Sequence, residues 1–386
     1  VDLYARASAT YPASDLASRA ALRSGLTQFR LQDVSGAAAS FQRAGELAQD
    51  GADRAAAAYW SGKVLAAQGL TAESEQAWAS AAANDPTGFY SERAADVLAG
   101  RGPFEPAGVF SFPIDLGGDR SKAEDWLRTT FPITSAGDLS GLNESLAGDP
   151  RMVRGTELLA LGLYDEARAE FEDLRLDYSS DAESTYRLMH RFLALGLYDA
   201  AIRSARQVLD LAGLDDGGTL SAPRYFNLIR FGPYFGDLIL PEAAAAGLDP
   251  LFLLSVVRQE SLFQGAATSS ASARGLMQVI PTTGAAIAAE LGWPAGYSEA
   301  DLHRPLVSVR FGTHYLEQQR DSFDGDLMAA LAAYNGGPGN AATWLERAGG
   351  DPDLFYEVIG FEETRTYLRT IYEVFNIYRK LYTSSE

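Results

Sequence analysis

Ala160-Leu161-Gly162-Leu163-Tyr164-Asp165 recurs letter for letter as Ala194-Leu195-Gly196-Leu197-Tyr198-Asp199, at an offset of 34 residues. That is the period of a tetratricopeptide-type helical hairpin. In each copy the Gly suits the left-handed end of one helix, and the Asp suits the start of the next. Two looser copies lie upstream. One runs through Leu65-Ala66-Ala67-Gln68-Gly69-Leu70 to Ala77 and Trp78, the other through Phe29-Arg30-Leu31-Gln32-Asp33 to Ala37, Ala38 and Phe41. Small Ala with one bulky aromatic per helix favours close packing of successive helices. Ala, Leu, Glu, Gln and Arg dominate the first two thirds, and alternating β-branched runs are missing. The pattern predicts a right-handed solenoid of helix pairs. Such stacks bind peptides, bind other domains or serve as scaffold, so architecture alone assigns no function.

Two breaks interrupt the helical pattern. Residues 100–118 hold Pro103, Pro106 and Pro113 among glycines. Phe104, Val109, Phe110 and Phe112 in that stretch are expected to avoid water. Residues 214–223 contain Asp215-Asp216-Gly217-Gly218, which stops a helix, and the aromatics Tyr225, Phe226, Phe231, Tyr234 and Phe235 that follow are expected to pack on what comes next. The expected division is a helical block over 1–222, a linker over 223–240 and a second domain over 241–386.

Composition narrows the chemistry. Of 386 residues, 51 are Asp or Glu and 32 are Lys or Arg, a formal charge of −19. Such a surface repels phosphate backbones and argues against nucleic acid as a partner. The chain has no cysteine, which removes disulfides, thiol nucleophiles and zinc–thiolate or iron–sulfur sites. Its three histidines, His190, His303 and His314, form no His-Glu-x-x-His pair, so neither a metal site nor a Ser-His-Asp triad is expected. No apolar run approaches the roughly 20 residues of a membrane span. The chain begins at Val1, consistent with removal of a leader.

The chemistry concentrates after Asp249-Pro250, an N-cap followed by a first-turn proline. Leu253, Val256, Val257 and Glu260 then share one helical face. A carboxylate on an apolar face is disfavoured in its charged form, which raises its pKa as a general acid near neutral pH requires. A Glu paired with Arg258, or simply solvated at a helix end, is the alternative. Downstream, Thr268, Ser269, Ser270 and Ser272 precede Gly275-Leu276-Met277-Gln278, whose apolar pair and amide suit a sugar and its acetamido group. These glycines match neither a P-loop nor a dinucleotide fingerprint. A further helix, beginning after Asp324-Gly325-Asp326, puts Leu327, Ala330, Leu331 and Tyr334 on one face. Glycines and Pro338 after Asn335 end it and let backbone approach a ligand. A core tyrosine with a satisfied hydroxyl is the alternative for Tyr334.

Glu260-Ser261-Leu262-Phe263, Gly275-Leu276-Met277-Gln278, Ala333-Tyr334-Asn335-Gly336-Gly337-Pro338-Gly339 and Phe361-Glu362-Glu363-Thr364-Arg365-Thr366-Tyr367 occur in that order. Together they resemble the soluble lytic transglycosylases, over roughly residues 225–386. The resemblance implies an all-α protein: a TPR-like α-superhelix followed by a lysozyme-like catalytic domain over 241–386. It implies Glu260 as the catalytic residue, with Ser269 beside the substrate's acetamido group and Met277, Gln278, Tyr334, Asn335 and Glu363 as further substrate-binding residues. The sequence departs from the family where many members carry Met two residues after the Gln; here it is Ile280. His303 and His314 fall where the family has no catalytic histidine and read as structural or surface residues.

By resemblance, Glu260 protonates the bond between N-acetylmuramic acid and N-acetylglucosamine in peptidoglycan, then accepts the muramoyl 6-hydroxyl proton as a 1,6-anhydro ring closes. No cofactor or metal is expected. The expected partners are peptidoglycan strands, with cell-wall proteins able to use the helical stack, and the implied location is the periplasm or cell envelope. A lysozyme-like hydrolase is the first alternative, with Glu363 or Glu317 as a second carboxylate. An inactive glycan-binding or helical-repeat assembly protein is the second.

Overall fold

A computed structural model describes residues 1–106 and 108–383. Among them every regular element is helical, and extended pairing is limited to isolated bridges such as Thr268–Arg274 and Arg274–Val279. The chain forms two compact units, residues 1–105 with 319–376 and residues 106–318 with 377–386.

Helical hairpins build the N-terminal part of the first unit: Ala17–Arg30 with Val34–Leu47, then Gly51–Ala67 with Thr71–Asn84. The second unit holds Pro150–Ala160 with Tyr164–Asp177, and Ala182–Ala194 with Tyr198–Leu211. Three of these hairpins share one packing device. A Cβ on Gly25 would fall 2.5 Å from the Phe41 ring, one on Gly62 2.5 Å from Trp78, and one on Gly155 2.8 Å from Phe171. Each glycine precedes its ring by 16 residues. In the fourth hairpin large and small exchange places, with Met189 and Ala205 both buried.

The repeated hexapeptide does what its Gly requires: Gly162 and Gly196 adopt φ of 76° and 72°. Its Asp does not start the next helix. Leu163 and Leu197 hold the cap positions without a side-chain bond, and Asp165 and Asp199 lie inside the first turn. There a carboxylate favours the helix dipole, and Asp199 also pairs with Arg168 at 2.6 Å. Of the two upstream copies, Leu70 starts its helix without a side-chain bond, while Asp33 caps as expected, accepting from the Gly36 N–H at 2.9 Å with Gln32 in the left-handed position.

Of the aromatics expected to avoid water, Phe104 is buried beside Tyr372 and Phe375, and Phe112 packs on Tyr382. Val109 is a correction, at 89% exposure. Phe110 is bridged to Thr383, and in extended chain its neighbour faces the other way. Phe231 and Tyr234 pack on later residues as expected, Tyr378 and Phe263, but Tyr225 and Phe226 are a correction: they bury against the preceding helices at Tyr186, His190 and Trp126.

Buried charge holds the first unit's distant segments together. Asp353, on the short helix Pro352–Val358, lies 2.9 Å from both Arg93 and Lys63. Burial alone would lift its pKa, but the two cations outweigh that and hold it below the ordinary value. Glu357 accepts from Arg23 at 3.1 Å and from the Tyr90 hydroxyl, and burial still pushes its pKa up.

Candidate active site

In the second unit, Asp249 caps the helix Pro250–Ser261 by accepting from the Leu251 and Phe252 N–H groups at 2.7 and 3.2 Å. Residues 251–257 are buried without exception, so this is a core helix on every side rather than one with a single apolar face. Glu260 sits in its last turn, half-buried, where the helix leaves the core. The chain then turns through two consecutive left-handed residues, Leu262 at φ 49° and Phe263 at φ 63°. Non-glycine residues adopt that conformation at a cost of order 1 kcal/mol each. Phe263 offsets it by burying its ring against Tyr234.

Ser261 latches this end to the next motif, its Oγ donating to the Leu276 carbonyl at 2.9 Å. Gly275 has φ 76°, and a Cβ there would fall 2.0 Å from the Leu302 carbonyl, so no other residue fits. Met277 is buried, its N–H donating to Ser308 Oγ at 3.0 Å. Gln278 is half-buried; its Nε2 donates to the Gly275 and Ala267 carbonyls at 2.9 and 3.3 Å. Both amide hydrogens are thereby committed, and the group presents Oε1 as an acceptor. Ser269 is exposed, and its Oγ accepts from the Ala271 and Ala273 N–H groups at 3.2 and 3.1 Å, which leaves the hydroxyl proton for a ligand.

Two guanidinium groups lie against the Phe231 ring, from Arg258 on this helix and from Arg230. Arg258 stacks 4.5 Å from the Phe231 ring centre and donates Nε to the Arg230 carbonyl at 3.0 Å. Burial holds its pKa below the usual arginine range, and burial with Arg258 alongside pushes Arg230 down to about 9. His303 is half-buried, its pKa lowered by burial and then by Arg274, and His314 faces Glu290 at 3.1 Å.

The first unit holds the remaining residues. Asp326 caps the helix Leu327–Gly336, residues 328–333 are all buried, and Tyr334 and Asn335 emerge half-buried at its end. Gly337 at φ 87° breaks the helix before Pro338 begins the next. Thr364 Oγ1 donates to Asn335 Oδ1 at 2.6 Å. Glu363, beside Thr364, is exposed in the first turn of Glu362–Tyr382. The two latching hydroxyls, Ser261 and Thr364, both lie inside the quoted motifs; sequence alone gave them no role, because a hydroxyl's partner is set by the fold. Among the described residues no group of His, Asp or Glu is placed to hold a metal, and no helix is long and apolar enough to cross a membrane.

Residues 237–354 match the family described as Transglycosylase SLT domain. The soluble lytic murein transglycosylase of Salmonella typhimurium is 26% identical over 60% of this chain and 34% of its own length. A putative soluble lytic murein transglycosylase of Haemophilus influenzae is 38% identical over 31% of this chain and 20% of its own. Among solved structures, the lytic transglycosylase Slt of Pseudomonas aeruginosa superimposes with a TM-score of 0.66 at 25% identity, covering 94% of this chain and 52% of that one. The 70 kDa soluble lytic transglycosylase of Escherichia coli gives 0.67 at 22% identity, covering 94% and 51%. The chain therefore spans about a third of the Salmonella relative and about half of the solved ones. Its fold class is theirs: an α-helical superhelix with a lysozyme-like domain.

Proposed function

We propose that this chain, which carries a transglycosylase SLT domain over residues 237–354, is a lytic transglycosylase of peptidoglycan. In this reading 241–386 performs the chemistry, 223–240 links it to the helical stack over 1–222, and the stack offers a surface to cell-wall proteins. Work on peptidoglycan places the protein in the periplasm or cell envelope.

The reaction follows from one carboxyl group. Glu260 donates its proton to the glycosidic oxygen, the bond from that oxygen to the muramoyl C1 breaks, and the N-acetylglucosamine side leaves with its new hydroxyl. The muramoyl acetamido group steadies the cationic carbon, with Ser269 and the Gln278 acceptor holding the amide. The 6-hydroxyl oxygen then attacks C1 while the Glu260 carboxylate takes back a proton, closing the 1,6-anhydro ring. One group serves both halves because the first step leaves it as the base that the second needs. Met277, Tyr334, Asn335 and Glu363 are assigned to holding the glycan.

The observation that carries this reading is the Ser261–Leu276 bond, which makes the end of the Glu260 helix and the Gly-Leu-Met-Gln turn one rigid piece. A proton donor and a sugar-facing amide need such fixed spacing. Digesting purified peptidoglycan and weighing the fragments tests it: anhydro ends are lighter by one water than hydrolysed ends. Reducing ends alone would make the protein a hydrolase, and an absence of release would leave the glycan-binding reading.

A further inference from the structure

The chain is strongly acidic, yet the unit of residues 1–105 and 319–376 gathers arginines around two adjoining cavities. The larger, of about 570 Å³, is lined by Arg23, Arg30, Arg347 and Arg365, with Glu357 as its one carboxylate. That carboxylate is already engaged by Tyr90 and Arg23. Arg365 is engaged too, by Glu362. The second cavity, of about 480 Å³, shares Arg30 and Arg347, and its one carboxylate, Asp351, is held by Lys63 at 2.8 Å. Among the described residues Arg30 and Arg347 have no ion-pair partner, and neither cavity wall has a carboxylate to spare for them.

Each of these two arginines lies in the last turn of a helix, Ala17–Arg30 and Pro338–Ala348, where the dipole favours a cation. The dipole explains each singly, by fractions of a kcal/mol. It does not explain why both face the same two cavities, where like charges repel unless an anion lies between them. Guanidinium forks match carboxylates in a bidentate way. Apolar surface adjoins them on both sides, from Phe29 and Leu354 in one cavity and Val358 and Ile359 in the other. A bare inorganic anion would leave those walls unfilled, whereas carboxylates on short methylene stems would use both.

We propose that these cavities bind an acidic peptide whose carboxylates are taken by Arg30 and Arg347. The test is calorimetric titration of the full chain with triglutamate at low ionic strength, compared with inorganic pyrophosphate. Wild type should bind the peptide and lose affinity as salt rises. Arg30→Ala with Arg347→Ala should weaken binding tenfold or more, and the double Lys variant should recover part of the loss. Arg43→Ala, a surface arginine paired with Glu46, should leave affinity unchanged. Both target side chains are exposed, so the variants should melt at the wild-type temperature. No binding by wild type, equal affinity in the double Ala variant, an equal loss in Arg43→Ala, or displacement by pyrophosphate at lower concentration than triglutamate would each overturn the proposal. No glycan enters the titration, so its failure leaves the transglycosylase reading untouched.

Discussion

Pro250–Ser261 and Leu327–Gly336 are built alike and finished differently. Both are capped by an Asp, both are buried throughout their middle turns, and both release their polar residues only at the C-terminal end. At the first, the latch joins backbone to motif: Ser261 holds the Leu276 carbonyl, and the carboxylate of Glu260 is one residue away from the bond. At the second, the latch grips the side chain itself, since Thr364 donates directly to the Asn335 amide oxygen. The first latch fixes the backbone next to its polar residue, and the second fixes the polar side chain itself. The units that carry them are held together differently as well. Buried ion pairs tie the first unit's segments, whereas apolar packing fills the second around Phe171, Tyr186, Met189 and Phe192.

Glu260→Gln breaks the comparison at its most sensitive point. Activity should fall by about 10²–10⁴-fold, the usual worth of a general acid–base, while the melting temperature holds; turnover near wild type would end the assignment. Asp353→Asn removes the charge between Arg93 and Lys63 and should cost about 3–5 kcal/mol in denaturant unfolding, as for a broken buried pair. A loss below 1 kcal/mol would mean that the ion pairs do not hold the first unit.

In the second unit, burial pushes His190 down to about 4 from 6.5. A depressed pKa contributes stability that is present above 6.5 and is lost as pH falls through about 4. His190→Phe, keeping a ring between Tyr186 and Tyr225, should therefore flatten the decline in urea midpoint between pH 6.5 and 4. An unchanged slope would clear His190 of the effect. The smallest change is expected at the second latch. Thr364→Val should cost about 1 kcal/mol and lower activity several-fold, and Thr364→Ser should restore both. Activity indifferent to Val would show that Asn335 needs no fixing.

Much of this was legible beforehand. The 34-residue repeat announced hairpins because Gly at a left-handed position leaves a local mark. The site helices announced themselves through Asp caps, and the ordered motifs pointed to one family of chemistry. The 16-residue interval from Gly25, Gly62 and Gly155 to their rings is equally present in the sequence but carries no local signal, since it links two helices instead of one. The pairing of residues 1–105 with 319–376 left no mark at all. Its contacts run through Arg93, Asp353, Arg23 and Glu357, and charged residues look solvated until a partner hundreds of positions away is known.

With both hydrogens of its amide spent on carbonyls, Gln278 has a one-way polarity toward any guest. It can welcome an N–H or hydroxyl and must turn away a bare carbonyl, so an amide guest would fit against it one way round only. A glutamate in its place would aim a negative oxygen at two carbonyl dipoles and keep its proton to survive there. Near-identical in shape, the two side chains would be opposites in that corner.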